Sequence, residues 1–133
     1  MNRRIYVDME NVNVQAISQI DKLTQSDEVY IIYSDASGKM TFDMAAKLVQ
    51  NKALIKLIKV TSVGTNALDY RLVALLGSHV ANNKSKNDEF YIVSIDKGYL
   101  AALNILSDNA PATKLSLVDN IDRIIHPQEE MKL

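Results

Sequence analysis

The hydrophobic period of this 133-residue chain switches repeatedly, and that alternation limits its fold more than any other feature. Short β-rich apolar runs take turns with segments whose apolar residues recur at helical spacing. "RIYVDM" reads as a first strand, and "VNVQAISQIDKLTQ" as a helix with Val14, Ile17, Ile20 and Leu23 near helical spacing. "DEVYIIYS" is a second strand, apolar on both faces, and "TFDMAAKLVQNK" a second helix with Phe42, Ala45, Ala46 and Val49 on one face. "ALIKLIKV" is a third strand with one wetter face. In "NALDYRLVALLGSHV", Leu68, Leu72, Leu75, Leu76 and Val80 mark a third helix, followed by the polar loop "NNKSKND". "EFYIVSI" and "TKLSLVD" are strands four and five, with the helix "GYLAALNILSD" between them and a short helix after.

Strands alternating with helices of this length imply right-handed βαβ units and a parallel sheet covered on both sides. The expected fold class is α/β: a three-layer α/β/α sandwich on about five parallel strands in the order 3-2-1-4-5. Strands one and four are the most continuously apolar, as central parallel strands are. No repeat or linker interrupts the pattern, so residues 1–133 are expected to form one domain, with residues 127–133 as a polar tail.

Apolar residues make up 47% of the chain and charged residues 23%, enough for a packed core and unlike a disordered chain. No apolar run approaches the roughly 20 residues of a membrane span, and the start "MNRRIYVDMEN" lacks the long apolar region of a signal peptide. The absence of cysteine removes disulfides, a thiolate nucleophile and zinc–thiolate sites. A soluble, cytoplasmic protein is the expectation. With a net charge of −1, bulk attraction does not draw the chain to nucleic acid, and phosphate binding must use a local patch.

In an open α/β sheet, ligands bind at the carboxyl ends of the strands, where strand order reverses. The acids concentrate there: Asp8 closes strand one with Glu10 and Asn11 after it, Asp35 follows strand two, Asp69 lies just past strand three, and Asp96 and Asp119 close strands four and five. Across a switch point between strands one and four, Asp8 faces Asp96 and Asp69 leans in from its helix. Clustered carboxylates repel unless something positive sits among them. Oxygen ligands without Cys or His select magnesium, manganese or calcium, and magnesium also meets substrate phosphate. Phosphodiester hydrolysis is the reaction class that uses such an edge best. Each acid also has a purely structural explanation. Asn66 and Asp69 match a capping-box variant, Asp96 a cap for the helix near Gly98, Asn11 a cap for the first helix, and Asp35 and Asp119 loop or cap residues. Asp8, inside "IYVDMEN", is poorly solvated unless paired or metal-bound.

Three stretches resemble a known family. "YVDMENVN" is similar to the D-x-E-N opening of PIN-like and NYN nuclease domains. "NALDYRLVALLG" resembles the acid-bearing central helix of a bacterial PIN-like branch, and "YIVSIDKGYLAAL" its S-x-D-x-G-[FY] segment. They occur in the family's order and cover roughly residues 3 to 125. The resemblance implies a metal-dependent ribonuclease with Asp8, Asp69 and Asp96 as the acids that bind Mg2+ or Mn2+. It implies Asn11 positioning the first loop or a bound water, and Asn66 and Ser94 at the edge of the site. Many relatives carry a further acid two residues after the third aspartate, where this chain has Gly98, which leaves one metal, or reduced activity, open.

Lys97 adjoins this site as a substrate-binding candidate. Lys47, Lys52, Lys56, Lys59, Lys84 and Lys86 are ordinary surface residues or a path for RNA. Tyr33, Tyr70 and Tyr99 are core residues or stacking platforms for unpaired bases, while His79 and His126 read as helix-surface residues. The expected function is cleavage of single-stranded RNA by in-line attack of water at phosphorus. The alternatives are a catalytically weak or inactive module that binds RNA or a protein partner, a receiver-like domain, and hydrolysis of a small phosphorylated metabolite. A nuclease with so little positive charge would gain grip from a homodimer or a protein partner.

Overall fold

The computed structural model describes residues 2–61, 64–83 and 87–127. Five strands, β1 (Arg3–Asp8), β2 (Glu28–Tyr33), β3 (Leu54–Lys59), β4 (Glu89–Val93) and β5 (Lys114–Val118), form one sheet in the order β3-β2-β1-β4-β5. Every pairing is parallel. The chain therefore winds outward from β1 through β2 to β3, then returns to the other side of β1 for β4 and β5. That reversal puts the switch point between β1 and β4. Val7 is in register with Val93, so Asp8 and Ser94 leave the sheet side by side.

The period of two along β1 divides the core. Ile5 and Val7 belong to one apolar cluster with Ile17, Ile20, Ile121 and Ile124. Tyr6, on the opposite face, joins Leu68, Leu72 and Leu76 of helix α2 (Ala67–Ala81) and Leu103 of α3 (Tyr99–Asn109). Asp8 follows Tyr6 at the same parity, so its side chain emerges on the α2/α3 face. The buried stripe of α2 is Leu68, Leu72, Leu76 and Val80, as its spacing requires, with Leu75 half-buried. Each fully buried leucine stabilises the fold by about 1.5–3 kcal/mol relative to exposure.

Two expectations fail on the other face. The segment read as a first helix forms two 3₁₀ turns, Val14–Ile17 and Ile20–Lys22. Val12, Val14, Ile17 and Ile20 are β-branched and restrict helical rotamers. The backbone carbonyls of Ser18 and Ile20 accept hydrogen bonds from Lys47 Nζ (3.2 Å) and Asn51 Nδ2 (2.6 Å), in place of a continuous helical ladder. Helix α1 (Phe42–Val49) does form, with Thr41 accepting from the Met44 amide at its start. Its buried side carries Met44 and Leu48, whereas Phe42 (95% exposed) and Val49 (85%) face outward. A helix of eight residues is compatible with more than one apolar stripe, and packing against the 3₁₀ turns selected the other.

His79 is not a simple surface residue: the Tyr6 hydroxyl lies 2.6 Å from its Nδ1. Burial lowers the affinity of His79 for a proton, so the neutral ring accepts from the raised, protonated phenol. At the other end of the sheet Arg3 grips the buried Asp27 with two parallel bonds of 2.9 Å, tying β1 to the loop before β2. Helix α4 (Asp122–Ile125) follows β5 and packs Ile124 and Ile125 into the first cluster. Among the described residues, no helix is long and apolar enough to cross a membrane. Lys84, Lys86 and all of the expected polar tail beyond Pro127 lie outside the described residues.

Candidate active site

Asp8 is fully buried at the end of β1, at 0% exposure. A carboxylate taken out of water must be hydrogen-bonded, and this one is surrounded by donors. Its Oδ1 accepts from the Glu10 amide at 3.1 Å. Its Oδ2 accepts from Asn11 Nδ2 (2.7 Å), Ser94 Oγ (3.0 Å) and Tyr99 Oη (3.1 Å). Local sequence places Asn11, and the pairing of β4 with β1 places Ser94. Asn11 lies in the tight turn after β1, where the Asn11 and Val12 amides both bond back to the Asp8 carbonyl, and Ser94 is the first residue beyond β4. Asn11 thus serves Asp8; the cap of the following 3₁₀ turn is Asn13, which accepts from the Gln15 amide.

Asp69 arrives from the first turn of α2. Its Oδ1 lies 3.0 Å from the same Tyr99 hydroxyl, so one phenol stands between two carboxylates. A hydroxyl carries one proton and serves one acceptor with it at a time. Burial and the two acids raise Tyr99 well above the usual phenol range, which keeps that proton in place. Asp69 is also raised, first by burial and then by Asp8, Asp96 and Glu10, with the Tyr99 bond opposing them. The capping-box expectation for Asn66 and Asp69 is not met. Asn66 sits at the N-terminus of α2 in the left-handed region (φ 67°) and makes no side-chain cap bond.

Asp96 follows β4, and the cap-like role expected of it is present: its Oδ1 accepts from the Gly98 amide at 2.8 Å. Gly98 has a physical reason here, since a Cβ at this position would meet Asp96 Oδ1 at 3.0 Å. Ser94 ties Asp96 to the centre, accepting from the Asp96 amide (3.0 Å) while donating to Asp8. Lys97 is exposed on the adjoining turn, and Glu10 accepts from the Ser34 hydroxyl at the rim. The outlying acids are structural, as the loop-and-cap explanation had it. Asp35 pairs with Lys59 at 2.8 Å and Asp119 with Arg123 at 2.6 Å.

With this arrangement of strand ends in view, comparison with known proteins is decisive at family level. A PIN-domain family model matches residues 2–114. The chain belongs to the PIN-domain family. No curated protein and no solved structure matches it. PIN domains are nuclease-type domains that typically use divalent metal ions.

The donor set of this PIN domain suits a hard divalent cation: carboxylate oxygens without Cys or His, three of which bear electrostatically on Asp69. None of Asp8, Glu10, Asp69 and Asp96 forms an ion pair with the described lysines and arginines. Their geometry is not that of a formed ligand cage. Among the described residues, no three acids or histidines are grouped closely enough to hold a metal ion, and the Tyr99 hydroxyl fills the gap between Asp8 and Asp69.

Sequence reasoning missed this role of Tyr99. As a stacking platform it is excluded by burial, at 3% exposure, and Tyr33 packs against the core, which leaves Tyr70 on the surface of α2. The available signal was position. Tyr99 opens α3 three residues after Asp96, so its ring is directed beneath the strand ends rather than into solvent. Glu10, one of the acids at the end of strand one, belongs to the electrostatic neighbourhood of Asp69.

Proposed function

We propose that this PIN domain is a metal-dependent ribonuclease of NYN-like type, hydrolysing phosphodiester bonds of single-stranded RNA. The observation that carries the reading is the convergence of Asp8 and Asp69 on one hydroxyl, at 3.1 and 3.0 Å, beside Asp96. Asp8, Asp96 and Glu10 all act against the charge on Asp69, and none of these acids has a described cationic partner, a cost for which a structural role alone gives no return. Asp8, Asp69 and Asp96 would hold Mg2+ or Mn2+. The ion, when bound, supplies Lewis-acid stabilisation of charge on phosphorus and a more acidic water.

The chain's own residues do the remaining work. Asn11 and Ser94 hold the Asp8 carboxylate in a fixed orientation, while the Tyr99 hydroxyl would have to withdraw for it to act as a ligand. Lys97 and Asn66 stand at the rim, where phosphate oxygens of the strand would pass. Tyr70 is 70% exposed, next in sequence to Asp69, and offers a face on which an unpaired base stacks. Lys59 is held by Asp35 and serves the path less directly.

A second reading has its own support: a catalytically weak module that binds RNA or a protein partner. It draws on the Tyr99 hydroxyl between the two acids and on glycine at position 98. The deciding experiment is incubation with defined single-stranded RNA and DNA, with manganese, magnesium or chelator. The nuclease reading expects metal-dependent cleavage of RNA that Asp8→Asn and Asp69→Asn each reduce at least 100-fold with the fold intact. Retention of RNA without cleavage in every metal would favour the binding module.

A further inference from the structure

A separate cleft opens beside the acids, on the side of the first 3₁₀ turn and α4. Its volume is about 480 Å³. Asn11, Asn13, Gln15, Gln19, Asp122 and Ile95 line it. Asn11 is the shared wall: its Nδ2 is committed to Asp8, so its carbonyl oxygen remains for the cleft. The cleft therefore starts one side chain away from the buried carboxylate.

The chemistry of the lining is selective. No lysine or arginine lines it among the described residues, while two aspartates do, so it repels phosphate rather than attracting it. Three neutral amides offer donors and acceptors: Asn13 uses only its oxygen, in the bond from the Gln15 amide, and the side chains of Gln15 and Gln19 form no hydrogen bond with described residues. Asp119 and Asn120 are already bonded to one another and to Arg123, and form a fixed rim. The carboxylate of Asp122 forms neither an ion pair nor a side-chain hydrogen bond with described residues. Ile95, 66% exposed, gives an apolar surface on the side nearest Asp96.

Planar groups with donors and acceptors on their edges and apolar faces fit such a lining, and nucleobases are of that kind. A carboxylate accepts two parallel hydrogen bonds when a ligand presents two adjacent donors. Among the RNA bases, guanine alone does so, through N1–H and the exocyclic amine. Side-chain amides match its O6 and N7 on the other edge. We propose that this cleft is a guanine-selective subsite, with Asp122 reading the donor edge, Gln15 and Gln19 the acceptor edge, and Ile95 packing on the ring. It deepens the ribonuclease reading and rests on it, because the base would belong to a nucleotide next to the phosphate that would be cleaved at the Asp8 and Asp69 site.

The test separates binding from cleavage. The four nucleoside monophosphates are titrated into the isotope-labelled protein with chelator present, and the side-chain amide signals of Asn13, Gln15 and Gln19 are followed by NMR. All four share a phosphate, so any difference reports the base. GMP is expected to shift these signals and to bind at least fivefold more tightly than AMP, CMP or UMP, and Asp122→Asn to remove that difference. Gln19→Ala, which leaves α4 untouched, is expected to weaken GMP by at least threefold and covers the case in which Asp122→Asn fails to fold. Equal binding of the four, or shifts confined to other residues, would overturn the subsite. GMP-selective shifts in a protein that cleaves no RNA would retain the subsite and reject the nuclease reading. Cleavage indifferent to base, with no amide shifts, would do the reverse.

Discussion

The Tyr99 hydroxyl lies 3.0 Å from Asp69 Oδ1, and this contact joins helix α3 to helix α2 above the end of β1. Because the same oxygen lies 3.1 Å from Asp8, one neutral group separates two acids that would otherwise repel directly.

Replacing this hydroxyl is accordingly informative. Tyr99→Phe keeps the ring and removes one buried donor from Asp8, which is expected to cost about 1–2 kcal/mol of stability in chelator. With the gap vacated, manganese is expected to raise the Tm of the variant more than that of the parent protein, since ligand binding stabilises the native state by mass action. Thermal melts of both proteins across a manganese series check this; an equal or smaller response in Tyr99→Phe would show that the hydroxyl does not compete with an ion.

Asp69 makes a prediction about pH. Its carboxyl is raised in the folded state, by burial first and then by Asp8, Asp96 and Glu10. The native state thus holds the proton more tightly than the unfolded chain does. Stability from this group is present below the unfolded carboxyl value and is lost as pH rises through the folded one. Asp69→Asn removes the loss, so without metal the variant is expected to be more stable at neutral pH, by an amount that solvent screening keeps small. The advantage should vanish once the pH falls below the ordinary carboxylate range. Urea titrations at pH 7 and pH 3.5 measure both ends, and a destabilised variant at pH 7 would mean that the Tyr99 bond outweighs the repulsion.

Asn66 separates backbone from side-chain roles. Among the described residues it is the single non-glycine with a positive φ, at 67°. Asn66→Ala is expected to cost about 1–2 kcal/mol because Cβ disfavours that conformation, whereas Asn66→Gly retains full stability. RNA cleavage is expected to fall in both, since each lacks the amide at the rim. Full activity in the glycine variant would confine Asn66 to shaping the turn.

Far from the acids, the Arg3–Asp27 fork anchors β1 in register. Burial alone would raise the Asp27 carboxyl, but the bonds from Arg3 and Thr24 outweigh it and hold the group below its ordinary value. Its contribution is complete above the unfolded value and is lost as pH falls through the folded one. Asp27→Ala leaves Arg3 without its partner and is expected to cost about 3 kcal/mol, read as a lower denaturation midpoint with RNA cleavage retained at low temperature. A shift below 0.5 kcal/mol would show that the fork is replaceable by water.

The architecture was legible because its signals are local and periodic. Runs such as "RIYVDM" and "EFYIVSI", and the leucines from Leu68 to Leu76, announce buried strands and a one-sided helix wherever they occur. The parallel order 3-2-1-4-5 is among the few that short, right-handed connections allow. The first helix was not legible. Spacing at Val14, Ile17 and Ile20 satisfies a helix and a pair of 3₁₀ turns alike, and the outcome depends on Lys47 and Asn51, far along the chain. The same holds for α1, whose exposed Phe42 and Val49 match its period as well as the buried Met44 and Leu48 do.

For the site, the sequence by itself determined which acids fall at strand ends, and that Asp8, within an apolar strand, needed partners. Asn11 reaches Asp8 through the local turn after β1. Only the tertiary structure decided the distant partners: Ser94 and Tyr99 reach Asp8 because β4 runs beside β1 in register and α3 returns over the same face. Hydrogen bonds between side chains distant in sequence have directions that no periodicity encodes. They arise when packed elements bring one donor to two acceptors, as Tyr99 stands to Asp8 and Asp69.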